Sequence, residues 1–223
     1  MNQIKVLEYL QRRRTAQKDN LGRAIGFIKN QTKKFEPFRT ELIVDCRNNL
    51  MGIEGSIAAV YWRAVAAAMP EPFTFEKRSR RPANDLFNAV LNYFYGMTYT
   101  VVEGGLFAAG LDPYLGFMHV DEHRKPTLTF DVIEPFRPWV DRLLIEACLS
   151  GEIQKNFVTK NQHGIFLNKK GKAYIIPLFN DFVERLRFFQ ERRVSNKNHI
   201  YTIAGQLAKS IKTYREDEID LSK

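Results

Sequence analysis

Apolar positions recur with helical spacing along most of the chain, and proline, glycine and charged residues punctuate the periodic runs. Over 4–17, Ile4, Val6, Leu7 and Leu10 make one face, while Arg12, Arg13, Arg14 and Lys18 make the other. Leu21, Ala24, Ile25, Phe27 and Ile28 mark the inward face of a second helix over 19–30, and a third helical run spans 37–50. Gly52 and Gly55 bracket Glu54, and the apolar run from Ile57 to Ala68 follows at once. This predicts a helix that begins near Glu54 and stops near Met69, ahead of Pro70 and Pro72. The stretch 70–81 is basic and irregular. Pro82 then suits the first turn of a long helix over 83–109, in which Gly96, Gly104 and Gly105 allow a break or close packing. Gly110, Asp112, Pro113 and Gly116 mark a loop that delivers His119, and a helical pattern over 128–149 is bent or split by Pro135 and Pro138.

After Gly151 the period changes. Residues 157–159 and 164–167 read as two short strands around a turn. Two helices close the chain, one over 177–193 with Pro177 at its first position and one over 200–215. The expected fold is mainly α: one multi-helix domain over 1–223 with a single small β-hairpin near 157–167, and no internal repeat.

With 223 residues, 44% of them hydrophobic, the chain is long enough to bury one substantial core. The net charge of +9 narrows the partner towards a polyanion, although ribosome-associated proteins, membrane-surface binders and some enzymes share such a balance. Cys46 and Cys148 sit far apart in apolar helical patterns and read as buried thiols of a reducing compartment. The N-terminus carries no apolar leader, and the longest apolar run, 57–69, contains Arg63 and is too short to span a bilayer. A cytoplasmic protein without a membrane partner is expected.

Asp131 and Glu134 are three residues apart, which on a helix puts both carboxylates on one face, and they follow His119 at the end of its glycine-rich loop. With Glu54 they would form a mixed carboxylate and imidazole set suited to manganese or magnesium. On spacing alone the plainer alternative is favoured: Asp131 caps a helix, Glu134 makes a surface pair and His119 is an ordinary loop histidine. His119 and His123, with Glu122 beside them, are also an i,i+4 pair with zinc spacing, but Lys125 and Pro126 argue for a loop there.

Four stretches in one order change that balance. They are LMGIEGSIAAVYWR over 50–63, RRPANDLFNAVLNYFY over 80–95, GLDPYLGFMH over 110–119 and FDVIEPFRPWVD over 130–141. Together they resemble the motifs of the CRISPR-associated endonuclease and integrase family Cas1. The resemblance implies metal ligands at Glu54, His119 and Glu134, with Asp131 as the neighbouring acid of a catalytic site. Some relatives have aspartate at the Glu134 position, and Pro135 disfavours a helical conformation at that residue. The family's chemistry implies a divalent ion that stabilises charge on a phosphodiester and activates either water or a DNA 3′-hydroxyl.

Double-stranded and branched DNA would then be the substrate, with Arg63, Arg78, Arg80 and Arg81 as candidate phosphate contacts. Arg12–Arg14 and the group Lys169, Lys170 and Lys172 are weaker candidates, and Trp62, Tyr93 and Tyr95 belong to the core more readily than to base stacking. The resemblance reaches only the family's helical C-terminal domain; its N-terminal β-rich domain, through which members dimerise, has no counterpart here. It also implies the partner protein Cas2 and a homodimer in the full-length context. Two alternatives stand beside the nuclease and integrase reading: a helical DNA-binding lobe without independent catalysis, and a protein-interaction scaffold.

Overall fold

The computed structural model describes residues 2–119, 124–189 and 192–218. Among these are eight α-helices and two separate two-stranded antiparallel ribbons, so the mainly α fold class holds. The chain divides into two compact units, one made of 1–95 and 135–176 and the other of 96–134 and 177–223.

The first unit begins with α1 (Asn2–Arg13) and α2 (Lys18–Lys33), which pack on each other and on α3 (Ile43–Ala68). Leu7 and Leu10 of α1, Leu21 and Ile28 of α2 and Ile57, Tyr61 and Val65 of α3 are all buried, which is why these runs fold against one another. Hiding a leucine or isoleucine side chain contributes about 1.5–3 kcal/mol. Arg14 donates from Nε to the carbonyl of Ala68 at 2.9 Å, closing the C-terminal end of α3 with a cation.

The expected break near Gly52 is absent. The helix instead runs unbroken through Gly52 and Gly55, placing Glu54 in its middle rather than at its start. Glycine costs a helix interior about 1 kcal/mol per residue, and the buried stripe from Ile57 to Ala68 outweighs that. The predicted third run is correspondingly redrawn: residues Glu36–Thr40 form a 3₁₀ turn, and α3 starts after it.

The long helix α4 (Leu86–Ala108) begins three residues later than expected. The cause is Asp85, whose Oδ1 accepts from the backbone N–H of Asn88 at 2.7 Å and so acts as the N-cap. The proline split in 128–149 is realised: α5 (Thr127–Ile133) ends before Glu134, and α6 (Arg137–Leu149) carries Pro138 in its first turn. In the first unit α6 packs on α1, and the ribbon β1 (Val158–Asn161) with β2 (Gly164–Leu167) confirms the predicted hairpin.

The C-terminal reading needs two corrections. Helix α7 (Lys169–Glu184) contains Pro177 in its interior instead of starting there. Proline removes the bond to the carbonyl of Ala173, but both residues are exposed, so water can take that place. Residues expected to extend this helix form a second ribbon, β3 (Leu186–Phe189) with β4 (Arg192–Ser195), before α8 (Asn196–Glu218). In the second unit α4 and α8 approach closely at Gly104 and Gly105: a Cβ on Gly105 would lie 3.1 Å from the Tyr201 ring, and one on Gly104 2.8 Å from its hydroxyl. Both cysteines are buried and free, as expected. No helix among the described residues is long and apolar enough to cross a membrane.

Candidate functional site

In the second unit, the loop between α4 and α5 is tied down at several points. Thr127, at the start of α5, donates from its hydroxyl to the carbonyl of Tyr114 at 2.8 Å and accepts from the N–H of Gly116 at 3.0 Å. The N–H of Leu128 donates to the carbonyl of Pro113 at 2.9 Å. Gly116 is needed for this approach, because a Cβ there would lie 2.8 Å from both the carbonyl oxygen of His119 and the Thr127 side chain.

Asp131 completes the anchoring. Its Oδ2 accepts from the N–H groups of Phe117 at 2.8 Å and Met118 at 3.0 Å, and its Oδ1 accepts from the N–H of His119 at 3.1 Å. The same Oδ1 lies 2.6 Å from His119 Nδ1. Asp131 is therefore neither a helix cap nor a surface acid: its side chain is fully hidden, while the imidazole of His119 is 34% exposed. Phe130 meets the imidazole edge to face at 6.2 Å. With Nδ1 bound to the carboxylate, the ring is held in one orientation and Nε2 is the nitrogen available to a ligand.

Glu134 closes α5. Its backbone is in the right-handed helical region at φ −53° and ψ −44°, against the tendency Pro135 was expected to impose. The helix carries this conformation through its last position, and proline acts only after it.

In the first unit, Glu54 stands on the same face of α3 as the buried residues Ile57, Tyr61 and Val65, but is itself only half-buried. It makes no hydrogen bond or ion pair among the described residues. Arg63 lies on the opposite side of the helix, because nine residues turn an α-helix by roughly 180° beyond two full turns. It is exposed, as are Arg80 and Arg81.

Arg78 is committed to the interior. One terminal nitrogen donates to Asn88 Oδ1 at 2.8 Å and to the Ser79 carbonyl, and the other donates to Asn92 Oδ1 at 2.6 Å. Its guanidinium also lies over the rings of Trp62 and Tyr95, at 5.8 and 5.3 Å. Burial lowers its pKa from the ordinary arginine value, an effect countered by Tyr95 and Asp141. Trp62 packs edge to face with Tyr61, Phe75 and Phe87, and Tyr95 is buried. Tyr93 is half-buried under Lys172, 5.9 Å from its ring centre.

The sequence offers no spacing signal for a further polar cluster in the first unit. Asp141 of α6 is 1% exposed and accepts from Tyr61 of α3 at 2.8 Å and Tyr95 of α4 at 2.6 Å. Burial pushes its carboxyl up to about 6, with the two tyrosine hydrogen bonds and the charges of Arg137 and Arg78 working against that rise. Burial first, and Asp141 second, push both tyrosines well above their ordinary range.

In neither unit do three histidine, cysteine, aspartate or glutamate side chains gather closely enough to hold a metal, among the described residues. The donor types fit a hard divalent ion: two carboxylates, and an imidazole already oriented through Nδ1. His123 and Glu122, the other half of the zinc-spaced pair, lie outside the described residues.

Residues 1–181 match the model of the family described as CRISPR associated protein Cas1. Over 139 residues the chain is 36% identical to a CRISPR-associated endonuclease Cas1 of Methanospirillum hungatei, covering 61% of this chain and 39% of that protein. It is 31% identical over 170 residues to a CRISPR-associated endonuclease Cas1 of Leptospira interrogans, covering 74% of this chain and 65% of that one. The chain thus spans only part of the length of these relatives. Among solved structures, a Cas6-RT-Cas1–Cas2 complex superposes with a TM-score of 0.76 at 25% identity, covering 96% of this chain and 23% of that one.

Proposed function

The chain belongs to the CRISPR-associated Cas1 family, and from that premise we propose that it is the catalytic part of a metal-dependent DNA endonuclease and integrase that acts in CRISPR spacer acquisition. The observation that carries this reading is the Asp131–His119 pair: a hidden carboxylate fixes the imidazole from Nδ1 and leaves Nε2 for a ligand. That arrangement is the one by which proteins hold a metal-binding histidine.

The candidate donors are His119 Nε2 and the carboxylates of Glu54 and Glu134. Glu134 sits at a helix C-terminus, where the backbone dipole disfavours negative charge, so a nearby cation would relieve its position. A bound manganese or magnesium ion would stabilise the charge that builds on the attacked phosphate and on the departing oxygen. The protein's own contribution is to hold the donors: Asp131 keeps the ring of His119 from turning, and the bonds from Phe117, Met118 and His119 keep Asp131 from turning. Exposed Arg80 and Arg81 are the candidate phosphate contacts. Double-stranded or branched DNA is the substrate, and Cas2 the partner, of the complete protein; in the solved complex named above, Cas1 and Cas2 occur together.

The test is cleavage and strand joining of a branched DNA with manganese, comparing the unaltered chain with His119→Ala, Glu54→Ala and Glu134→Ala. Each substitution should abolish turnover while the thermal transition stays in place. Turnover that survives all three would refute the assignment.

A second reading is favoured by the partial span of the relatives and by the net charge of +9. In it the chain is a DNA-binding lobe that needs further protein to catalyse. Salt-sensitive binding without turnover in any of the four proteins would support it.

A further inference from the structure

The ribbon of β3 and β4 begins past the residues matched by the family model, which end at 181. It exposes its phenylalanine further than the β1–β2 hairpin exposes Phe166, which is 47% exposed. Phe188 is 75% exposed and Leu186 60%, and Arg185, Arg192 and Arg193 are all exposed. In the register, Phe188 stands opposite Arg193 and Leu186 opposite Ser195, so both apolar side chains lie on one face with an arginine directly across from the phenylalanine. Phe188 and Leu186 thus form a small exposed apolar face on the ribbon.

The root of the ribbon is fixed. Asn196, fully buried, donates from Nδ2 to the carbonyl of Phe182 at 2.6 Å, and its backbone N–H donates to the carbonyl of Arg185 at 3.1 Å. Ser195 Oγ accepts from the N–H of Asn198 at 3.1 Å and so caps α8. Arg187 on the opposite face lies over the Phe182 ring at 5.9 Å. The ribbon is thus held at both strands against α7 and α8, and the face carrying Phe188 is presented outward on a stiff base.

From this geometry we infer that the β3–β4 ribbon is a nucleic-acid contact, in which Phe188 stacks on an unpaired base and Arg193, directly across from it on the same face, meets a backbone phosphate. Charge decides between nucleic acid and protein as occupant. Three exposed arginines lie within nine residues, with exposed Lys197 just beyond them, in a chain whose net charge is +9. An apolar protein partner would not call for an arginine inside so small an apolar face with further cations close by, whereas a strand of DNA supplies both a phosphate for Arg193 and a flat base for the ring. A fully paired duplex hides its bases, so the face fits a fork or a frayed end. The inference rests on the proposed function for its substrate class and does not depend on catalysis.

The experiment is fluorescence anisotropy of the full chain on a forked DNA and on a blunt duplex of the same length, over a series of salt concentrations. The variants are Phe188→Ala, Phe188→Trp and Arg193→Ala. Both positions are exposed, and thermal melting verifies that each variant folds.

Phe188→Ala is expected to weaken binding to the fork by about tenfold and to leave the blunt duplex nearly unchanged, with Phe188→Trp restoring the loss. Arg193→Ala should flatten the logarithmic salt dependence on the fork by about 0.7, the value for one phosphate on single-stranded DNA. If the unaltered chain binds the fork and folded variants bind it equally well, the ribbon is not a DNA contact and the proposed function stands. Unchanged DNA binding with a smaller oligomer for Phe188→Ala would make this face a protein contact instead and overturn the inference. If the unaltered chain binds neither DNA, both readings fall.

Discussion

Asp131 and Asp141, one in each unit, both have side chains hidden from solvent, and they do different work. Asp141 is surrounded by side chains: Tyr61 and Tyr95 donate to its two oxygens, which joins α3, α4 and α6 within the first unit. Asp131 is surrounded by backbone: three consecutive N–H groups and one imidazole converge on it in the second unit. The first carboxylate spends its hydrogen bonds on holding helices in register. The second uses them to fix a loop and one imidazole that faces solvent. A buried carboxylate is therefore no sign of a reactive site by itself; what distinguishes the two is whether a donor to it also faces solvent, as His119 does and the tyrosines do not.

The largest way to break the comparison is to remove the structural member. Asp141→Ala should destabilise the protein by about 3 kcal/mol or more, because two buried hydroxyls lose their acceptor and the guanidiniums of Arg78 and Arg137 lose a negative charge. A denaturant titration measures this. A loss below about 1 kcal/mol would mean that the hub is not structural. The corresponding change in the other unit, Asp131→Asn, should act on activity more than on stability. Its amide cannot accept from all three loop N–H groups and the ring together, so metal affinity or turnover should fall about 10–100-fold. An equal drop in the melting temperature of both variants, with no difference in activity, would erase the distinction.

The distinction between the two aspartates was only half legible in the sequence. Asp131 lies twelve residues from His119, close enough for the resemblance to place both in one site, although spacing could not tell which of Asp131 and Glu134 meets the ring. Asp141 is 80 residues from Tyr61 and 46 from Tyr95, so no local pattern connects them, and only the packing of three helices does. The helices followed from the spacing of apolar residues. Where the reading failed, local signals competed with tertiary ones: Gly52 and Gly55 looked like a boundary until the buried face of α3 carried the helix past them. The β3–β4 ribbon was missed because the sequence between its strands, Gln190 and Glu191, contains no glycine, proline or asparagine to signal a reversal. Arg78 looked like a phosphate ligand because the sequence does not show that Asn88 and Asn92 face it.

Proton linkage sharpens the comparison at a smaller scale. Asp141 has its carboxyl raised to about 6 by burial, above the value of an unfolded aspartate. A raised folded value means that the native state binds the proton more tightly. The resulting stability is fully present below about pH 4 and is lost as pH rises through 6. Between pH 4.5 and 7.5 the unaltered chain should lose about 2 kcal/mol relative to Asp141→Asn, which has no proton to release at that position. The difference between the two proteins cancels the other carboxylates. A difference that is flat across this interval, or that rises with pH, would show that Asp141 is ionised in the native state at low pH and that its hydrogen bonds outweigh its burial.

The smallest effect separates the two tyrosines. Tyr61→Phe and Tyr95→Phe each remove one hydroxyl from Asp141 while keeping the ring, so each should cost about 1 kcal/mol. The costs should not add. With one donor gone, the remaining hydroxyl faces a carboxylate that takes up its proton more readily, and the second removal then breaks a bond to a neutral acid. Neutral hydrogen bonds are about half as strong as those to an ionised partner. The double variant should therefore lose less than the sum of the two, by a few tenths of a kcal/mol, in a double-mutant cycle measured at pH 7. Strict additivity there would mean that the two hydroxyls act independently on Asp141, whereas a deficit in the cycle would show that α3 and α4 are coupled through its single charge.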